Sequence, residues 1–313
     1  MNKIIKNIAL TIMLATGIVA SASDDVQIYT ADNSKGKITG PSIEKAFEDA
    51  GFLISANKDL NIAFNAKYQK TNDKMYWLFQ SYKADLVFEL VKITPKAALF
   101  APLSMSIYMH KGSNDISVSS LSIDGMAKVT GIPANNKHMV AYAKLVRDTL
   151  AKALPNGHFE KIKNKILKPE GELVTNFSFE MEETEAEAMA EEFEGVQTEM
   201  EGSLEMAGFV MAGFNQLGEE FKEAGYDKYD FFDAYSICKI PVIYTVSKEH
   251  PEAGAFAPCT LYMYKEKGSS MVHMAYPSVY NWISSLGIKD KESIEVLIKA
   301  QNKMIEMINE TLE

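Results

Sequence analysis

An eight-residue segment that occurs twice constrains the fold of this chain more than any other feature of its sequence. Residues 95–102 are Pro-Lys-Ala-Ala-Leu-Phe-Ala-Pro, and residues 251–258 are Pro-Glu-Ala-Gly-Ala-Phe-Ala-Pro. A tyrosine and then a Lys-Gly-Ser sequence follow both copies at the same distances. The offset is 156 residues throughout, and residues 94–132 align with residues 250–288 without a gap. We interpret this as an internal duplication, which predicts two related structural units.

The first 22 residues have the pattern of a secretory signal peptide. Lys3 and Lys6 precede an uncharged run at residues 8–20, and Ala-Ser-Ala at residues 20–22 fits the small-x-small cleavage rule. An N-terminal membrane anchor is the alternative, but the run is shorter than the roughly 20 residues that span a bilayer. We therefore expect cleavage after Ala22, no transmembrane segment in the mature chain, and a periplasmic or secreted protein.

The remaining length and charge limit the organisation and the partners. About 290 residues suit two domains, and we predict a first unit at 23–157, a basic linker at 158–170 and a second unit at 171–313. The formal net charge is -10, and Arg147 is the sole arginine. Because binding to phosphate backbones needs clustered lysine and arginine, a nucleic-acid partner is excluded.

Hydrophobic periodicity predicts the elements of the first unit. The patterns favour helices at 43–50, 75–82 and 135–154, and strands at 26–30, 62–68, 86–93, 99–109 and 116–123. A proline at a strand interior would lack the N–H that the ladder uses. We therefore expect Pro102, and Pro258 in the second unit, to lie at a strand start, an edge or a bulge.

The second unit shows a similar order of elements but a different spacing. Strands are predicted at 173–179, 237–246, 256–264 and 271–276, and a closing helix at 291–311. The helix end at residues 220–226 is similar to residues 46–52, at an offset of 174 rather than 156. This predicts a deletion of 18 residues in the second unit, placed across the helix around Trp77.

A long acidic helix is predicted at residues 182–224, with a break at Gly202 or Gly208 as the alternative to a continuous helix. Its apolar residues recur every three or four positions, and no basic residue stands between Lys168 and Lys222. We interpret the glutamates as a solvated face, with docking onto the basic linker or a basic partner as the alternative. Residues 206–214 are apolar on nearly every side, so we expect them to be buried or to pack on another subunit. Deleting residues 182–213 should then leave both sheets folded.

These motifs together resemble the domain-of-unknown-function family 302. The shared features are a helix ending in Gly-aromatic, an Ala-rich turn into an apolar strand with proline, and a glycine hairpin, here at 50–52, 97–102 and Gly112 in one copy and at 224–226, 253–258 and Gly268 in the other. The resemblance implies an α+β fold of two repeated β-α-β4-α units, in a TATA-binding-protein-like arrangement with helices on one face of each antiparallel sheet. It implies no catalytic residues. We also expect the two units to pack as a pseudo-symmetric pair.

Three histidines stand beside a methionine and are weak candidates for a metal site. They are His110, His138 and His273, with Met109 and Met274 as candidate thioether ligands. Imidazole with thioether is a ligand set for copper or haem iron. Adjacent residues of a strand point to opposite faces, however, so one Met-His pair does not normally chelate an ion.

Two cysteines, Cys238 and Cys259, leave both a disulfide and two buried thiols open. A hairpin about the turn at Pro251 would place Cys259 opposite Tyr244. The six-residue mismatch with Cys238 is then about 20 Å, beyond the roughly 7 Å Cα limit for a disulfide. The hairpin model therefore favours buried core thiols.

The aromatic residues suggest where a small molecule could bind. Most belong to the core, but an apolar pocket between sheet and helix is the usual site in such a unit, and our candidates are Tyr108, Tyr264, Trp77 and Trp282. We expect an exported, non-enzymatic protein that binds a small apolar molecule or a protein partner, with self-association possible and no cofactor. The alternative is a metal- or haem-binding redox protein or enzyme that uses the methionine and histidine ligands.

Overall fold

The first of two antiparallel sheets is built from the N-terminal half of the chain. The computed structural model describes residues 24–162 and 165–312, so the predicted signal peptide lies outside the described residues. The strands are β1 (Val26–Asp32), β2 (Leu53–Asp59), β3 (Met75–Tyr82), β4 (Leu103–Met109), β5 (Asp115–Leu121) and β6 (His158–Phe159). Their order across the sheet is β2-β3-β4-β5-β1-β6.

Helices connect these strands. They are α1 (Gly40–Asp49), α2 (Leu60–Tyr68), α3 (Ala84–Val91), α4 (Ile123–Thr130) and α5 (Lys137–Ala153), with a 3₁₀ turn at Pro95–Phe100. We call this 3₁₀ segment the first turn. Thr39 caps α1, because its side chain accepts from the backbone N–H of Ser42. Proline at the start of α1 has the φ angle that a helix needs.

The second sheet follows in the C-terminal half. Its strands are β7 (Val174–Glu180), β8 (Val210–Asn215), β9 (Tyr229–Cys238), β10 (Cys259–Glu266) and β11 (Met271–Pro277). Its helices are α6 (Ala186–Met206), α7 (Leu217–Glu223), α8 (Ile240–Val246), α9 (Val279–Leu286) and α10 (Lys291–Leu312), with a second turn, also 3₁₀, at Pro251–Phe256. The strand order is β7-β11-β10-β9-β8.

Strands β1 to β5 of the first sheet and β7 to β11 of the second, each set taken in chain order, occupy the same positions in their sheets. The first strand of each set lies beside the fifth, and the second strand lies at the far edge. The sheets are antiparallel in every strand pair. The predicted α+β class with antiparallel sheets and helices is thus what the structure shows.

Several predicted elements have the wrong type. Residues 62–68 and 86–93, predicted as strands, lie mostly in α2 and α3, and residues 75–82, predicted as a helix, form β3. Residues 240–246, predicted as part of a strand, form α8. Each is a short apolar run, and such a run has no periodicity long enough to distinguish a buried strand from a buried helix. Helices α4 and α9 were not predicted.

The long acidic helix is present but covers residues 186–206 rather than 182–224. It ends at Gly208, whose φ of 77° is in the left-handed region that ends a helix. The chain then forms β8, which pairs with β9. Residues 206–214 are buried only in part, because β8 is an edge strand: Phe209 is 8% exposed, but Met206 is 85% and Phe214 is 47% exposed.

The predicted deletion of 18 residues in the second unit is wrong, because the acidic helix ends at Gly208 and a strand and a further helix follow it. The Gly-aromatic end of α1, residues 50–52, corresponds in the chain order of elements to residues 207–209 at the end of α6. In both, the aromatic N–H donates back into the helix, from Phe52 to the Phe47 carbonyl at 3.0 Å and from Phe209 to the Leu204 carbonyl at 2.9 Å. Residues 224–226 end α7 with the same type of hydrogen bond, which explains why their sequence is similar.

Helix α6 belongs to the hydrophobic core of the second sheet. Its buried side chains Phe193, Met200 and Leu204 form one apolar cluster with Met263 of β10 and Met274 of β11. Helix α10 contributes to the same cluster. The expectation that residues 182–213 can be deleted without loss of the second sheet is therefore contradicted by this packing.

Two residues after each 3₁₀ turn lies a proline that precedes a strand and contacts the other half of the chain. Pro102 and Pro258 lie immediately before β4 and β10, which confirms their predicted place at a strand start. Ser104 Oγ donates to the Pro258 carbonyl at 2.7 Å, and Thr260 Oγ1 donates to the Pro102 carbonyl at 2.9 Å. The two donors are 156 residues apart, and so are the two acceptors, which is the offset of the sequence repeat. The contact between the halves is therefore reciprocal.

Candidate functional site

A small apolar cavity lies where the ends of the strands of the second sheet meet three helices. Its volume is about 50 Å³. The strand ends supply Ile237, Cys238, Cys259 and Tyr276, and the helices supply mainly apolar side chains, among them Val242, Ile243, Val279, Trp282, Leu297, Ala300 and Met304. We call this space the cavity.

The sequence brings these helices together through their apolar faces. Val242 and Ile243 are buried residues of α8, and Trp282 is 2% exposed on α9. Trp282 stacks on Phe256 of the second turn, with ring centroids 5.8 Å apart. Leu297 on α10 is fully buried. Because the packed second turn holds α9 against the strand ends, the cavity is bounded by secondary structure rather than by loops.

Two hydrogen-bond donors in the cavity wall are buried without a partner among the described residues. They are the Tyr276 hydroxyl and Trp282 Nε1. Burial raises the pKa of Tyr276, so its hydroxyl remains a neutral donor. A buried donor without an acceptor costs about 1–3 kcal/mol. Both donors belong to residues that line the cavity.

Gln301 also lines the cavity, but both ends of its amide are already used. Its Oε1 accepts from the Val279 N–H at 3.2 Å, and its Nε2 donates to Thr175 Oγ1 at 2.7 Å. These bonds join α10 to the start of α9 and to β7. Gln301 therefore holds the walls of the cavity in place.

Both cysteines line the cavity as free thiols. Burial raises the pKa of Cys238 and that of Cys259 to about 12. Cys259 pairs with Ile237 across β9 and β10, so the hairpin that placed it opposite Tyr244 is wrong. The error arose because residues 240–246 form a helix and do not continue the strand.

Of the predicted ligand-binding residues, Trp282 is the one in the wall of the cavity. Trp77 in β3 packs on Gly40 of α1, where a Cβ atom would lie 2.5 Å from the indole ring. Tyr108 in β4 is 5% exposed, and Tyr264 in β10 contacts Tyr229, Phe232 and His273. The structure therefore does not bring the four residues together.

The predicted metal ligands are also separated. His110 Nδ1 lies 2.8 Å from Asp73 Oδ1, His138 Nε2 lies 3.6 Å from a Glu89 oxygen, and the His273 ring lies 5.1 Å from that of Tyr264. Met109 and Met274 are buried in different apolar clusters. Over residues 24–162 and 165–312, no three His, Cys, Asp or Glu side chains are grouped as metal ligands.

Several residues of the cavity were not predicted as site residues, among them Tyr276, Gln301 and Ala300. Tyr276 was one of many aromatic residues near the sheets, and nothing local distinguished it. Ala300 and Gln301 occur within a regular amphipathic helix pattern. Their role depends on α8, α9 and α10 meeting at one strand end, and local sequence periodicity does not encode that contact.

Comparison with known proteins finds a family match over the part of the chain that contains the cavity. The family model "Domain of unknown function DUF302" matches residues 185–311, from α6 to α10. Residues 185–311 are similar to the DUF302 family. The match confirms the family resemblance for this part of the chain. All the cavity residues named above lie within the matched residues 185–311, while the partner of Gln301, Thr175, lies before them.

A solved DUF302 structure is also similar to part of the chain. It is described as "Crystal structure of uncharacterized conserved protein DUF302 from Bacillus stearothermophilus". Sequence identity is 17%, the match covers 46% of this chain and 100% of that one, and the TM-score is 0.37. No curated protein matches the chain. Within the part of the chain that the structure describes, no helix is long and apolar enough to cross a membrane.

Proposed function

We propose that this chain is an exported, non-enzymatic protein that binds a small, mainly apolar molecule in the cavity. The observation that carries the proposal is an apolar cavity whose wall contains two buried donors without partners, Tyr276 and Trp282. Apolar pockets with a few placed polar groups are the usual form of small-molecule sites. Such a ligand would bury its apolar part and accept a hydrogen bond from one or both donors.

The chemistry of the wall favours binding over catalysis. The thiolate is the reactive form of cysteine, and the raised pKa values of Cys238 and Cys259 keep both thiols protonated at neutral pH. Tyr276 is held neutral as well. These groups therefore act as packing surface and hydrogen-bond donors.

Export and the duplicated architecture belong to the same proposal. Export follows from the signal-peptide pattern of residues 1–22, and the domain limits 23–157, 158–170 and 171–313 follow from the repeat. The equal strand order of the two sheets and the reciprocal bonds of Ser104 and Thr260 support descent of both units from one ancestor. In this account the first unit supports the second, and the ligand binds in the second.

The test uses a substitution that fills the cavity. Binding of two eight-carbon probes, 1-octanol and octanoate, is then measured by isothermal titration calorimetry. Ala300→Phe places a ring in the cavity, and Ala151→Phe adds the same ring at an exposed site on α5. We expect wild type and Ala151→Phe to bind at least one probe, and Ala300→Phe to bind neither.

Both variants must keep the helical circular dichroism signal of wild type. This control is needed because inserting a larger side chain into a packed region costs about 1–3 kcal/mol of stability. If wild type binds neither probe, or Ala300→Phe binds as wild type does, the cavity is not the binding site.

A further inference from the structure

Three lysines lie at the mouth of the cavity, and we call them the lysine rim. Lys239, between β9 and α8, lines the cavity itself. Lys299 and Lys303 on α10 line an adjoining groove of about 870 Å³ between α8 and α10. The groove and the cavity share Lys239, Val242 and Ala300. A molecule in the cavity would therefore have the lysine rim at its exit.

Lys239 is held at this position by a backbone carbonyl and an aromatic ring, and neither group carries a negative charge. Its Nζ donates to the Ala207 carbonyl at 2.8 Å and lies 4.5 Å from the ring centroid of Phe209. Burial lowers the pKa of Lys239, and the positive charges of Lys299, Lys303 and Lys67 lower it further. Positive charges are therefore crowded at the mouth, and a bound anion would relieve their repulsion.

The carboxylates of the groove do not neutralise the whole rim. Glu295 and Glu306 line the groove, and Glu306 Oε1 lies 3.1 Å from Lys303 Nζ. Among the described residues, neither Lys239 nor Lys299 forms a salt bridge. The chain as a whole carries a net charge of -10. Because the protein as a whole is negatively charged, a cluster of positive side chains next to an apolar cavity indicates that the ligand carries a negative charge.

We propose that the ligand of the cavity is a single-chain amphiphile with an anionic head group. This rests on the proposed function, and adds the class of ligand to it. The apolar tail enters between α8, α9 and α10, and the head group remains at the mouth, where Lys239 and Lys299 bind it. With about 50 Å³ available, the cavity accepts the last few carbons of the tail, and the groove accommodates the remainder.

The experiment compares octanoate with 1-octanol, which has the same chain length and no charge. In wild type we expect octanoate to bind at least tenfold more tightly in calorimetric titrations, and the difference to shrink as NaCl is raised. Lys239→Gln/Lys299→Gln should lower octanoate affinity to that of 1-octanol measured on the same variant. Lys152→Gln, an exposed position on α5, is the matched control.

Each outcome separates the two proposals. The proposal of an anionic head group is wrong if wild type binds the two probes equally well. It is also wrong if the double variant binds octanoate as wild type does. In both cases the cavity proposal still stands. Failure of both probes to bind wild type overturns both. The single variant Lys299→Gln, at an exposed position of α10, should reduce octanoate affinity even if Lys239→Gln impairs folding.

Discussion

At the scale of single residues, burial rather than charge pairing determines how several ionisable groups behave. Asp233 in β9 is 7% exposed, and its Oδ2 accepts from Gln197 Nε2 of α6 at 2.9 Å. Burial raises the pKa of Asp233 to about 6, against the lowering effect of Gln197 and with a further increase from the charge of Glu219. A raised carboxyl pKa stabilises the folded state while the group is protonated. That contribution is complete below the usual pKa of 3.8 and is lost as pH rises through about 6.

Asp233→Asn should therefore change how stability depends on pH. As pH rises from 4 to 7.5, wild type should lose on the order of 2 kcal/mol more of its free energy of unfolding than the variant does. A shift of about two pKa units corresponds to an energy of that size. Urea unfolding at both pH values measures the difference. Asp49→Asn on the exposed surface of α1 is the control, and parallel pH profiles of wild type and Asp233→Asn would contradict the assignment.

At the scale of elements, α6 shows how a surface pattern can mislead. Its glutamates suggested a solvated addition to the second unit, yet its other face is the outer cover of the second sheet. Leu204 is 1% exposed, one turn before the glycine that ends the helix. The acidic face and the buried stripe are two sides of one amphipathic helix.

Truncating that buried stripe tests the role of α6. Leu204→Ala should lower the free energy of unfolding by about 2–5 kcal/mol, the usual range for a buried leucine. Glu205→Ala, the exposed neighbour, should change it by less than about 0.5 kcal/mol. Chemical denaturation followed by circular dichroism gives both values. A similar, small effect of the two substitutions would show that α6 is not part of the core.

At the scale of the whole molecule, the first sheet is joined to the second half of the chain through hydrogen bonds to the second turn. Ser106 Oγ and Ser119 Oγ of the first sheet donate to the carbonyls of Pro251 and Glu252 in the second turn, each at 2.8 Å. The second turn also carries Phe256, on which Trp282 stacks. The first sheet thus supports the turn that positions one wall of the cavity.

Sequence patterns predicted those features that depend on local repetition. The repeated segment, the prolines at the strand starts and the closing helices are of this kind. Short apolar runs such as residues 62–68 and 86–93 were assigned to the wrong type, because their length suits either a strand or a helix. The cavity was missed as a whole because Tyr276, Ala300 and Lys239 are distant in sequence and meet only through tertiary packing.

The account's central claim is that an anionic amphiphile places its tail beside Trp282, and quenching by a bromine atom tests it most directly. In a Trp77→Phe chain, Trp282 is the single tryptophan, and 8-bromooctanoate carries bromine at the tail end. We predict saturable quenching of Trp282 fluorescence, abolished by adding Ala300→Phe, and no saturable quenching of Trp77 in a Trp282→Phe chain. Saturable quenching of Trp77, or none of Trp282, would contradict the account.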